Sequence, residues 1–169
     1  MKPSFVPSFR HFQKDIERYL ESAGQVEKNE HGQMVYRGYE AALSEMFRAY
    51  IEKEAFAALV DEFRKWNCEW GYSAYLLELT NALRRSRDWP LLKTLWAAAV
   101  AKRRTNYNKT KKARKAVPQK IPEALETKTR ELLLDSLFRL RELAAEFGRE
   151  AEIPEYLAMI ARVERKRNA

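Results

Sequence analysis

Metal-binding and redox chemistry has little to work with in this chain: Cys68 is its single thiol, and His11 and His31 are its only imidazoles. One cysteine closes no internal disulfide, so stability has to come from packing. Helical metal sites need clustered ligands, whereas the two histidines stand 20 positions apart with Cys68 remote from both, so neither a metal site nor a cysteine–histidine nucleophile is expected. Five glycines leave no material for a phosphate-cradling loop or a dinucleotide fingerprint. The most apolar stretch, 91–101, is broken by Lys93 and is far short of the roughly 20 residues a spanning helix takes. The opening MKPSFVPSFRHFQ holds no continuous apolar run, so neither a signal peptide nor an anchor is expected there, and the expected compartment is the cytoplasm. Carboxylates such as Glu40 and Glu45, or Asp61 and Glu62, fall where helices carry solvated side chains. The chain is read as non-enzymatic and without a cofactor.

Acidic residues are missing from one segment altogether. Residues 1–88 carry 13 basic and 14 acidic side chains and residues 123–169 carry 9 and 10, while residues 89–122 carry 10 basic and none acidic. The net charge of +8 is therefore a local +10 between two nearly neutral regions, which says more about a partner than a high isoelectric point does.

What the chain does have is a core. Hydrophobic residues make up 46% of its 169 positions and 20 side chains are aromatic, enough for one domain that buries about two-thirds of its unfolded surface. Helical periodicity organises it. Ser8 is placed to cap a first helix carrying Phe9, Phe12, Ile16, Tyr19 and Leu20 and ending near Ala23 and Gly24. Residues 25–33 read as a polar loop, with a small hairpin of QVEK and QMVYR as the alternative because Asn29 and Gly32 suit a turn. A second helix is expected from Met34 through Leu43, Met46, Phe47, Tyr50 and Ile51. A third is expected from Glu54 through Phe56, Leu59, Val60 and Phe63, ended by Asn67 and Gly71. A fourth runs from Tyr72 through Leu76, Leu79 and Leu83. Asp88 followed by Trp89 and Pro90 is the clearest start signal, since Pro in a first turn lacks only an N–H that would be unpaired anyway.

The fifth helix passes through Leu92, Leu95 and Trp96 into the basic segment. Thr105, Asn106, Asn108 and Thr110 are weak helix formers, so fraying is expected there, followed by an extended connector over 117–122 between Pro118 and Pro122. Residues 102–121 are thus expected to form a basic, partly irregular insert in a single helical domain spanning 1–169. A sixth helix is expected to bury Leu125, Leu132, Leu133, Leu137, Leu140, Leu143, Ala144 and Phe147, with Gly148 as its C-terminal cap. Ile153 and Pro154 open a seventh, with Tyr156, Leu157, Ile160 and Val163 inward.

Three helix starts align: Phe56, Trp89 and Ile153; then Leu59, Leu92 and Tyr156; then Phe63, Trp96 and Ile160, at offsets of 33 and 64 residues. In this the stretch 36–168 resembles the α/α superhelical repeat proteins, tetratricopeptide-like in the broad sense. The resemblance implies an all-α fold of about seven helices, with antiparallel helical hairpins stacked as a short α-solenoid or a helical bundle.

The functional lead is the basic segment. Lys102, Arg103, Arg104, Lys109, Lys111, Lys112, Arg114 and Lys115 surround Tyr107; on a continuous helix Arg104, Tyr107, Lys111 and Arg114 share a face, with cations for phosphates around a ring able to stack on a base. The expected partner is nucleic acid or an acidic protein, with no membrane binding. Trp89 and Trp96 must face the core, which argues against a recognition helix that presents its first turns to bases. The alternative is an interaction adaptor that binds a peptide or partner subunit on its helical face, with Trp66 and Trp70 lining the groove. KKARK at 111–115 has the look of a nuclear-import signal if the source is eukaryotic, and the leucine-rich sixth helix serves a homodimer as readily as a monomer.

Overall fold

In the computed structural model, which describes residues 5–65 and 72–165, the chain is all-α, with seven helices and one two-stranded sheet among the described residues. Its contacts gather into two compact units, Met1–Ser86 and Arg87–Ala169.

The first unit holds α1 (Phe12–Ser22), β1 (Val26–Lys28), β2 (Met34–Tyr36), α2 (Tyr39–Glu52), α3 (Phe56–Lys65) and α4 (Tyr72–Arg85). Phe12, Ile16 and Leu20 of α1, Phe47 and Tyr50 of α2, Leu59 and Phe63 of α3, and Leu76, Leu79 and Leu83 of α4 make its core. Ser8 does not cap α1. Phe9 has a left-handed φ of 58°, and the Ser8 hydroxyl and Phe9 N–H both donate to buried Asp15, each at 3.0 Å, beside the Tyr50 hydroxyl at 2.6 Å. Burial pushes the Asp15 carboxyl up, but these hydrogen bonds outweigh it and hold it below the ordinary aspartate value.

The polar loop expected over 25–33 is instead the hairpin. Val26 pairs with Tyr36 and Lys28 with Met34, and the Asn29 side chain accepts from His31 and Gln33 N–H groups at 3.0 and 2.9 Å, which closes the turn. Met34 therefore lies in a strand, and α2 begins five residues later than expected, after Gly38. α3 also begins late, because Glu54 is the left-handed residue that ends α2: its φ is 53°, Glu54 N–H reaches Ile51 O at 3.1 Å and Ala55 N–H reaches Tyr50 O at 2.9 Å. Glu62, read as solvated, is buried, with Lys65 Nζ 4.0 Å away. Asn67, Cys68 and Gly71, expected at the end of α3, lie outside the described residues.

The second unit holds α5 (Trp89–Ala116), α6 (Glu123–Glu146), a 3₁₀ turn (Glu150–Glu152) and α7 (Ile153–Arg165). Asp88 caps α5 as expected, accepting the Leu91 N–H at 3.0 Å ahead of Pro90 in the first turn. Arg103 meets Leu132 and Ser136 of α6, and Arg114 meets Glu123 and Glu126, so the two helices run antiparallel. Gly148 ends α6 at φ 65°, with Gly148 N–H on Ala145 O at 3.1 Å and Arg149 N–H on Ala144 O at 2.8 Å, a conformation an L side chain resists. Glu152 ties the last helix to α5. Its carboxylate accepts from Lys93 at 2.9 Å, Tyr156 at 2.8 Å and the Trp89 indole at 3.3 Å.

Trp89, Leu92, Leu95, Trp96, Ala99 and Val100 of α5, Leu133, Leu137, Leu140, Leu143 and Ala144 of α6, and Tyr156, Ile160 and Val163 of α7 are buried, with α6 packed against both α5 and α7. Leu125 and Leu157, expected inside, are 42% and 45% exposed. Past Val100 on α5 the one fully buried side chain is Tyr107, and α6 buries none before Leu133. The distal half of the α5–α6 hairpin is thus a two-helix arm of about 23 Å, at 1.5 Å per residue, with almost no core of its own.

Candidate nucleic-acid interface

The basic segment does not fray. α5 is helical for 28 residues, through Thr105, Asn106, Asn108 and Thr110, to Ala116. Tertiary contacts override the weak propensities at these positions. Tyr107 is 3% exposed, the Arg103 guanidinium donates to Leu132 O at 3.1 Å and Ser136 Oγ at 2.5 Å, and Arg114 bridges Glu126 at 3.0 Å and Glu123 at 3.2 Å. The connector over 117–122 is a turn, closed by Lys120 N–H on Val117 O at 3.1 Å, with extended backbone at Pro122.

One continuous helix sorts the nine site residues into two sets. Arg103, Tyr107 and Arg114, spaced four and then seven positions apart, fall on one stripe of α5 that faces α6 and ties the two helices together. Burial raises the Tyr107 hydroxyl above its ordinary value of 10.0, Glu126 adds to the rise and Arg130 opposes it, which leaves a neutral ring with its face covered. Lys102 and Lys111 are half-buried. Arg104, Lys109, Lys112 and Lys115 are exposed. At about 100° per residue they occupy one outer sector of about 140°, with Asn108 among them.

Charge on the two faces of α5 is handled differently. The inward arginine meets carboxylates from the acidic first turn of α6, where Glu123 and Glu126 also suit the positive end of that helix. Outward, no ion pair joins Arg104, Lys109, Lys112 or Lys115 to a carboxylate among the described residues. Four cations over 12 residues of continuous helix span about 16 Å of its axis. The row repels itself, and an anion laid along it relieves that repulsion.

Read from the sequence, the nine side chains form one set; folding divides them, turning Arg103, Tyr107 and Arg114 toward α6. The signal that separates them was present in the chain: Glu123 and Glu126 open the sixth helix with the spacing needed to meet Arg114 across a short turn.

Trp66 and Trp70, the expected partner groove, lie outside the described residues, as does Cys68. Among the described residues no three His, Cys, Asp or Glu side chains group as metal ligands, and no helix is long and apolar enough to cross a membrane. Compared with protein-family models, with curated proteins and with solved structures, the chain matches none.

Proposed function

We propose that this protein is a non-enzymatic helical binding module that holds nucleic acid by its phosphates along the outer face of α5. The observation that carries the reading is the row Arg104, Lys109, Lys112 and Lys115: exposed, on one continuous helix, and without carboxylate partners among the described residues. Clustered cations gain most from a polyphosphate, because each neutralised phosphate releases a condensed counterion. Phe56, Trp89 and Ile153 are each the first residue of a helix, and the positions three and seven further on are buried in all three; this supports reading the scaffold as helical repeats that display the row.

Retention on immobilised native and heat-denatured DNA at increasing salt tests the proposal. The wild-type chain is retained on at least one of the two at low salt and released as salt rises. The quadruple variant Arg104→Glu/Lys109→Glu/Lys112→Glu/Lys115→Glu, in which Arg103 and Arg114 are kept so that the arm stays closed, loses retention on both. Salt-independent retention, or retention equal to wild type in the variant, overturns it.

A further inference from the structure

The outer face of α5 also says which form of nucleic acid fits it. We infer that the ligand is a double helix gripped on its backbone rather than a single strand. This rests on the phosphate-binding reading above and narrows it.

Proteins that hold single strands combine a charged track with aromatic rings on which the unpaired bases stack. The basic segment has one aromatic side chain, Tyr107, and it is 3% exposed against α6. Around the cations the outward positions are Thr105, Asn108, Ala113 and Ala116, and none offers a face to a base. The Thr105 hydroxyl is committed to Ala101 O at 3.0 Å, so Asn108 is the neutral donor left on the row. Ammonium, guanidinium and amide groups all donate to phosphate oxygens, and none of them needs an unpaired base to stack on.

Shape points the same way. The four cations are carried by one continuous helical backbone, which sets their spacing along the axis while their side chains fan over the outer face. A duplex presents one phosphate charge per about 1.7 Å of axis, in an order already set before binding. A row about 16 Å long therefore meets a dense, regular line of acceptors in any register. A single strand has to be straightened to make the same contacts, at a cost in conformational freedom that no stacking offsets here. Contacts to the phosphates carry no sequence information directly.

The test measures binding of the full chain to a labelled 20-base-pair DNA duplex and to each of its separated strands, at one fixed salt concentration. The duplex is expected to bind about ten-fold or more tightly than either strand, with a second duplex of shuffled sequence bound equally. The quadruple glutamine variant Arg104→Gln/Lys109→Gln/Lys112→Gln/Lys115→Gln, which removes charge without reversing it, is expected to reduce duplex binding toward background. Equal or tighter binding of the single strands overturns the inference while leaving phosphate binding by α5 intact. Undiminished binding by the glutamine variant, or no salt-dependent binding of any of these DNAs, overturns the phosphate-binding reading itself.

Discussion

Single side chains decide what the basic segment is. Tyr107 reads from the sequence as a base-stacking ring, yet it is the main apolar contact within the arm. Replacing it by alanine is expected to cost about 3 kcal/mol, read as faster amide exchange over 101–116 with the core of α5 around Trp96 still protected. Exchange unaltered in the arm would show that Tyr107 does not hold it. Glu54 carries a strain that its sequence does not advertise, a left-handed φ of 53° at the end of α2; Glu54→Gly should raise stability by roughly 1 kcal/mol, measured by urea denaturation. Glu152 gives stability a pH dependence. Its hydrogen bond from Lys93 is the largest influence and, with those from Tyr156 and Trp89, outweighs burial and holds the carboxyl below its ordinary 4.5. A carboxyl depressed in the folded state contributes in full above that ordinary value, and the contribution is lost as pH falls through the folded one. The thermal midpoint of Glu152→Gln is expected below wild type at neutral pH, with the gap narrowing as pH falls below the ordinary glutamate value of 4.5.

At the scale of elements, the sequence is most legible where local chemistry and packing agree. Asp88 with Pro90 starts α5, Gly148 ends α6, and Ile153 with Pro154 opens α7, all as the residues indicate. It is least legible where distant contacts override local preference. Thr105, Asn106 and Asn108 disfavour a helix in isolation, but Arg103 and Arg114 are anchored on α6 on either side of them, and the helix between is held at both ends. The hairpin at 26–36 and the delayed start of α2 have the same origin in another form, since Asn29 and Gly38 fix the backbone over too few residues for periodicity to register. The candidate face follows from the same lesson: the cations were legible as a cluster, but the division between those spent on α6 and those left outside depends on a partner helix up to 33 residues away.

Across the molecule, the asymmetry of charge survives folding in a reduced form. The acid-free segment carries ten basic residues, of which four form the exposed outward row on α5 while Arg103 and Arg114 serve the arm. Cations on a helical arm with little core of its own suit the display of charge more than the shaping of a pocket. The account therefore stands on the claim that these four side chains, and not the net charge of the chain, engage phosphate. Duplex DNA affinity measured from low to moderate salt tests it most directly. Log affinity against log salt is predicted to fall with a slope of about −4 for the wild-type chain and to flatten toward zero when Arg104, Lys109, Lys112 and Lys115 are replaced by glutamine. An unchanged slope in that variant would contradict the account.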